Sequence, residues 1–268
     1  MPETSQLDLA TVLGKAIALL LAFRAEDEAV SLAELAERTS FPKTTVHRLA
    51  GQLVSARLLA TSTRGYRLGS GLFELGMRAS PERGLLEVAV PFMQDLYART
   101  QETVHLGVLD GTEVVYVSKI GGHRQAASPS RIGGRMPLYC TAIGKALLAS
   151  SADGFIGELL SGPLPRRTPH TIVAPGMLRR QLDKVADDGV AFEFEESTIG
   201  IACLGAPILD RDEAPLAAIS VTGPTTRFRP TQHVAAVRAA AAGVTSTLAR
   251  RSLIVELRPT SAVHQSSD

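Results

Sequence analysis

The stretch SLAELAERTSFPKTTVHRLA, residues 31–50, continued by GQLVSARLLATSTRGYRL to residue 68, carries the reading of the fold. Ser31 with Glu34 three residues on is the signature of a capping box, so a helix starts there. Leu32, Leu35 and Ala36 give that helix its buried side. Thr39-Ser40-Phe41 makes a turn. Pro42 then suits the first turn of the next helix, where its missing N–H costs nothing. In that helix Val46, Leu49 and Leu53 recur at three and four and face inward. Lys43, Thr44, Thr45, His47, Arg48 and Gln52 remain on the surface, and these are side chains that reach phosphates and base edges. Two helices with a short turn, the second polar at its N-terminal end, is the helix-turn-helix layout.

Outward from this core, Leu58–Thr61 and Tyr66–Leu68 read as a short hairpin with Gly65 at the turn. A hairpin directly after a recognition helix is a wing, and Arg64 and Arg67 would lie from it against phosphates or in the minor groove. Upstream, Val12, Ala16, Leu19, Leu20 and Phe23 line one face of an amphipathic helix that ends at Glu26-Asp27-Glu28. The charge agrees with this layout. Residues 38–78 carry a net charge of +6, while residues 81–268 are neutral, with 19 basic and 19 acidic side chains. A compact basic segment joined to a large neutral part is the footprint of a nucleic-acid module with a second domain.

Residues 70–102 read as connecting helices. Leu72, Leu75 and Met77 start one segment, Pro81 breaks it, and Leu85, Val88, Ala89, Phe92, Leu96 and Tyr97 recur at helical spacing. Pro91 inside that run is a place for a kink. Whether this connector forms a dimer surface or packs on the following domain stays open. From there, Thr103–Leu109 and Val114–Ile120 are strand-like, with the turn signal Asp110-Gly111 between them. Residues 121–135 and Ser161–Pro169 are loops. Thr141–Ala149 is a short helix, and a second helix carries Leu178, Leu182 and Val185 and stops before Gly189. Val190–Glu196, Ala202–Leu209 and Leu216–Thr222 are strands, and His233–Arg250 is an Ala-rich closing helix. This order makes an α+β domain on an antiparallel sheet.

Composition removes other classes. The chain has 268 residues, 45% hydrophobic, so it can bury a sizeable core and is not disordered. It has no run of about 18 apolar residues for a membrane span. Glu3, Asp8 and Lys15 fall where a signal peptide does not take them. Two cysteines far apart, Cys140 and Cys203, exclude a disulfide scaffold and an all-cysteine zinc site. No HExxH, GxSxG or phosphate loop with a lysine occurs. His105 lies mid-strand and reads as a packed or hydrogen-bonded residue. Cys203 reads as core, with a nucleophilic pairing to His170 the minority alternative. Alternation places Glu193 and Glu195 on one face of their strand and Glu196 on the other, and surface solvation explains the cluster.

In order and over two domains, several segments resemble the IclR family of bacterial transcriptional regulators. Phe41-Pro-Lys-Thr-Thr-Val-His-Arg-Leu is similar to its recognition-helix opening, and Tyr66-Arg67-Leu68-Gly69 to its wing. Thr103-Val-His-Leu-Gly-Val-Leu-Asp-Gly is similar to its first sensor hairpin. Gly134-Arg-Met-Pro-Leu-Tyr-Cys-Thr-Ala-Ile-Gly-Lys-Ala resembles its pocket loop and helix. Thr168-Pro-His-Thr, Gly189 through Glu195-Glu196, Gly200–Pro207 and Ile219-Ser-Val-Thr-Gly-Pro complete the set.

The resemblance implies an N-terminal winged helix-turn-helix at 8–70, linker helices at 71–101, a GAF-like antiparallel-sheet effector domain at 102–252 and a flexible tail at 253–268. It implies a cytoplasmic, non-enzymatic regulator that binds a palindromic double-stranded DNA operator as a homodimer or a dimer of dimers, without cofactor, metal or membrane. DNA contacts fall to Lys43, Thr44, Thr45, His47, Arg48, Arg64 and Arg67. A small organic or aromatic acid falls to Met136, Ala142, Ile143, Glu193, Ile201, Cys203, Ser220 and Thr222. Small residues at a helix start leave N–H groups for a carboxylate, and Ser220 and Thr222, two apart, share a face. Tyr139 stands where many members have His, Ile143 is bulkier and Glu193 longer than usual. A hydrolase on the second domain, with an accessory basic segment, is the competing class.

Overall fold

The computed structural model describes residues 7–79, 82–121 and 130–257. They form two compact units that meet in sequence at residues 81 and 82. Pro81, residues 122–129 of the loop read at 121–135 and the chain beyond Leu257 lie outside the described residues.

The first unit holds α1 (Val12–Leu21), α2 (Leu32–Thr39), α3 (Lys43–Ser55), the hairpin β1 (Leu59–Ser62) and β2 (Gly65–Leu68), and α4 (Ser70–Ala79). Its ends are chemically specified. The Thr11 hydroxyl accepts from the Gly14 N–H at 3.0 Å and the Ser31 hydroxyl from the Glu34 N–H at 3.2 Å, each satisfying a first-turn donor. The capping box is half made, because the Glu34 carboxylate turns away to Arg38 at 2.5 Å. Ser40 ends α2 in the left-handed region at φ 58°. Leu19, Val30, Leu35, Val46, Leu49, Ala50 and Leu59 form the buried centre. Each fully buried Leu or Val contributes about 1.5–3 kcal/mol. Val12, read as inward, is 55% exposed; Leu19 is fully buried, and Ala16, Leu20 and Phe23 pack against the same core.

The hairpin is tied back to this core. The Val30 N–H donates to Tyr66 O at 2.7 Å and the Tyr66 N–H to Val30 O at 2.8 Å. Beside this bridge Gly65 has φ +131°, and a Cβ there would stand 2.3 Å from Val30 O, so only glycine lets the strands approach.

The second unit contains α5 (Glu82–Thr100), β3 (Thr103–Asp110), β4 (Glu113–Ile120), β5 (Arg135–Pro137), α6 (Ala142–Ala149), α7 (Asp153–Ser161), α8 (Pro175–Asp188), β6 (Ala191–Phe194), β7 (Ile201–Leu209), β8 (Pro215–Pro224), a 3-10 turn (Pro230–His233) and α9 (Val234–Leu257). The strands make one antiparallel sheet in the order β5-β4-β3-β8-β7-β6. The class is α+β, as the pattern of elements implies.

Pleat alternation divides the sheet's faces. Val104, Leu106, Leu204, Ile219 and Val221 pack with Leu85, Met93 and Leu96 of α5 and Val237 and Val244 of α9. The run from Leu85 to Leu96 thus covers the sheet of its own unit, and α5 continues through Pro91. Opposite, Val114, Tyr116 and Ala218 pack with Ile143 and Leu147 of α6 and Leu178 and Leu182 of α8. Two elements escape the sequence pattern. β5 ends a loop-like stretch and has three residues. α7 follows Ala152 without a side-chain cap and contains two glycines, so Asp153 in its first turn is a weak signal for its start.

Candidate functional site

On α3 the burial pattern separates two faces. Val46, Leu49, Ala50 and Leu53 are buried, whereas Lys43, Thr44, His47, Arg48 and Gln52 are exposed and Thr45 is half-buried. The helix begins after Pro42 with no side-chain cap. Its first-turn N–H groups and positive dipole end therefore share the surface with Lys43, a combination that favours anions.

The basic side chains of 38–78 are not equivalent. Arg38 is held by Asp27 at 2.5 Å and by Glu34, and Arg57 by Glu74 at 2.5 Å. The Asp27 carboxyl is held at about 2, first by its hydrogen bond from Arg38. Arg38, sheltered with Asp27, braces the fold, whereas the Arg57 pair is largely exposed. Arg64 at the hairpin tip pairs with Glu28, a pair 71% and 79% exposed that water and salt screen. Lys43, Arg48 and Arg67 are exposed and make no ion pair among the described residues.

In the sheet unit, Met136, Ala142, Ile143, Glu193, Ile201, Cys203, Ser220 and Thr222 all border one cavity. His105, Tyr116, Ser130, Thr141 and Ser197 complete its lining. Its free volume is about 20 Å³, enough for a water-sized group, which needs about 10–15 Å³. Strand register builds the floor. Glu193 pairs Cys203, Cys203 pairs Thr222 and Thr222 pairs Thr103, one row across four strands. In the next row Gly205 pairs Ser220 and Ser220 pairs His105. The start of α6 sits on Gly205, where a Cβ would stand 3.1 Å from the Ala142 carbonyl. Thr141 caps α6, accepting from the Gly144 N–H at 3.1 Å.

Hydrogen bonds order this floor. Thr222 Oγ1 donates to Cys203 Sγ at 3.2 Å. A hydroxyl has one hydrogen, so at its 3.4 Å contact with His105 Nδ1 it accepts. His105 Nε2 then accepts from Ser130 Oγ at 2.7 Å. Burial, with the Lys119 charge behind it, pushes His105 down to about 3, so the ring is neutral.

The carboxylates correct the surface reading. Glu193 is fully buried and Glu196 4% exposed. The strand stops at Phe194, and Glu195 takes a left-handed φ of 56°, which breaks the alternation. Glu193 Oε1 accepts from the Glu196 N–H at 2.8 Å, the Ser197 N–H at 3.0 Å and Ser197 Oγ at 3.2 Å. Glu193 Oε2 is buried without a partner. Glu196 Oε1 takes the wholly buried Lys145 Nζ at 2.6 Å, and Lys145 also donates to Gln181 Oε1 at 3.0 Å. Hydroxyls of Thr168 and Thr171 donate to the carbonyls of Glu195 and Glu196 at 2.6 and 2.7 Å. Burial raises the Glu193 pKa.

Of the residues missing from the sequence-based set, Thr141 had a signal, since Thr ahead of a helix is an N-cap. His105 and Tyr116 had none, because strand register brings them in, and Ser130 and Ser197 had none, because they arrive from the loops between strands. Tyr139 donates to Pro165 O at 2.5 Å and belongs to the apolar core beside α6, outside the lining. A Cys203–His170 hydrolase gains no support. Burial pushes the Cys203 thiol well above its ordinary value, away from a thiolate. His170 is 55% exposed and lies 3.8 Å from Glu195. No group of three metal-ligating side chains forms among the described residues, and no helix there is long and apolar enough to cross a membrane.

A winged helix-turn-helix unit with an unpaired cationic face, followed in the chain by a sheet unit with a polar internal cavity, defines a DNA-binding regulator that answers to a small molecule. Residues 12–62 match the IclR helix-turn-helix domain and residues 77–246 the bacterial transcriptional regulator IclR C-terminal domain. The chain belongs to the IclR family of transcriptional regulators. It is 36% identical to the HTH-type transcriptional regulator KdgR of Escherichia coli K12 over 222 residues, 81% of this chain and 84% of that one. It is 30% identical to the transcriptional repressor IclR of the same organism over 252 residues, 91% of each. The crystal structure of an IclR homolog complexed with 4-hydroxybenzoate, from Microbacterium hydrocarbonoxydans, superposes with a TM-score of 0.84 at 28% identity, covering 90% of this chain and 100% of that one. The protein is a ligand-responsive transcriptional regulator rather than an enzyme.

Proposed function

We propose that this regulator binds a palindromic operator as a homodimer and that a small organic or aromatic acid in the sheet cavity changes its affinity for that operator. Lys43, Thr44, Thr45, His47 and Arg48 enter the major groove from α3, and Arg64 and Arg67 hold the backbone or the minor groove from the wing. Two such modules read half-sites about 34 Å apart. Exposed Phe73 and Met77, one turn apart on α4, support self-association, since neighbouring exposed apolar side chains favour an interaction surface. The site of action is the cytoplasm, where the DNA is.

The observation that carries the effector reading is the convergence of Ser220, Thr222, Glu193 and the start of α6 on one buried cavity with apolar walls from Met136, Ile143 and Ile201. The N–H groups of Ala142 and Ile143 suit a carboxylate, and the hydroxyls fix its orientation. A cavity of about 20 Å³ admits an aromatic ring only when its walls part. The flexible Met136 is the wall side chain best able to yield. A ligand that must move α6 and β5 to enter has a means of favouring one arrangement of the protein, and couplings of about 1–3 kcal/mol change affinity about 5- to 150-fold.

The test is binding of the full-length protein to the DNA upstream of its own coding sequence, at two salt concentrations, with and without aliphatic and aromatic acids. Specific binding that weakens steeply with salt and shifts with one acid is expected. Absence of specific binding there and to a randomised-site library contradicts the operator reading. Specific binding unmoved by any acid contradicts the effector class.

A further inference from the structure

We propose that Glu193 stands in the cavity as a protonated carboxyl whose Oε2–H recognises a carboxylate ligand, so that each acid bound shares one proton with the protein. The proposal rests on the cavity being the effector site and specifies what the site selects: a carboxylate that can accept a proton-sharing hydrogen bond.

The geometry assigns the two oxygens different work. Oε1 is saturated by the N–H groups of Glu196 and Ser197 and by the Ser197 hydroxyl. Oε2 is buried, unpartnered, and belongs to a residue of the cavity wall. An ionised carboxylate with one bare oxygen away from water is strongly disfavoured, whereas a protonated one offers a donor there. The surrounding groups relieve it only in part: burial outweighs the Cys203 thiol, the Ser197 N–H and the Lys145 charge, which favour the ionised form. On α6, Lys145 Nζ is committed to Glu196 Oε1 and Gln181 Oε1. Glu196, three residues along the same loop, adds a further negative group. His105 on β3 is neutral. Tyr116 on β4, Cys140 ahead of α6 and Cys203 on β7 are driven by burial toward their neutral forms. Burial is likewise the leading cause that raises Glu193 itself.

No Lys or Arg is among the residues lining the cavity. An entering carboxylate therefore meets neutral donors only, among them the N–H groups at the start of α6, the hydroxyl of Ser220 and the Glu193 carboxyl. Two carboxyl groups in one dry site cannot both ionise, and one proton between them is the stable arrangement. Binding an anion then holds that proton more tightly. Affinity falls by up to about tenfold per pH unit between the Glu193 pKa of the free protein and that of the complex.

Infrared difference spectra of the full-length protein, wild type minus Glu193→Gln, test this without a ligand. At pH 7 a carbonyl band of a protonated carboxylic acid is expected in the wild type and absent from the variant. Carboxylate bands in its place overturn the proposal. If E193Q does not fold, Glu193→Asp assigns the same band by moving it to the aspartic-acid position. Calorimetry with benzoate and its neutral analogue benzamide from pH 6 to 9 gives the second readout. Benzoate affinity is expected to fall with rising pH and benzamide affinity to stay level. E193Q, with an Nε2–H in place of the O–H, is expected to bind benzoate independently of pH. Benzoate affinity that rises with pH in the wild type, or that is lost in a folded E193Q, overturns the proposal. Failure of both probes to bind falls on the acid-effector reading, and the infrared band still decides the state of Glu193.

Discussion

α3 is 13 consecutive residues with a charged, exposed face, while the cavity is lined by 13 residues that come from positions 105 to 222. The helix face needs only a local period of three and four to sort Val46 and Leu49 inward from Arg48 outward. The cavity exists only once β3 pairs β8 at His105–Ser220 and β7 pairs β6 at Cys203–Glu193. Polarity differs in the same way. On α3, water solvates the cations until DNA displaces it. In the cavity every polar group must find a partner inside the protein, and Glu193 Oε2 has none. One surface is ready for its ligand by exposure, the other by unsatisfied chemistry.

The sharpest way to break this contrast is to disturb the buried side. Lys145→Met removes the cation from a wholly buried pair and leaves Glu196 uncompensated, at a cost of about 3–5 kcal/mol. Calorimetric unfolding of the full chain is expected to show one destabilised transition, that of the sheet unit, with the helix-turn-helix transition in place. Loss of both transitions together would make the two regions one cooperative body.

Acid separates them next. His105 titrates near 3 in the fold and near 6.5 when unfolded, so its folded pKa is depressed. Its stabilising effect is complete above pH 6.5 and is lost as pH falls toward 3, by about 1.4 kcal/mol per pH unit. The sheet unit should lose thermal stability from pH 6.5 to pH 5, and His105→Gln should flatten that slope. An unchanged slope in the variant would place the titrating group elsewhere.

The smallest expected effect lies on the exposed side. Lys43→Ala removes one phosphate-reaching charge, so the slope of log affinity against log salt should fall by about 1. Protein stability should not move, since Lys43 is exposed and without an ion pair among the described residues. An unchanged slope would take Lys43 off the DNA.

Legibility in the sequence follows the same division. Residues 31–68 could be read almost completely because caps, turn and apolar period lie next to one another. The exception there is that Glu34 serves Arg38 rather than the cap, and upstream of that stretch Val12 points outward. Strands and helices of the sheet unit were also visible, but short β5 and weakly capped α7 were not. The eight cavity residues came from family resemblance rather than from the chain itself. Pattern alone sent Glu193 and Glu196 to solvent, because it continued the strand past Phe194. Glu193 is buried from within β6, on the face it shares with Ala191, and the left-handed turn at Glu195, beside carbonyls that take hydroxyls of Thr168 and Thr171, brings Glu196 in. His105 was visible as a packed strand histidine, and only its register with Ser220 makes it part of the floor.

The division of labour is tested most directly by crossing two substitutions against two readouts in the full-length protein: operator affinity, and affinity for the acid that shifts it. Arg48→Ala should weaken operator binding by about 1–3 kcal/mol and leave acid affinity unchanged. Ser220→Ala should weaken acid binding by about 0.5–1.5 kcal/mol and leave operator affinity without the acid unchanged. Acid affinity that collapses in R48A, or an unaltered acid response in S220A, would contradict it.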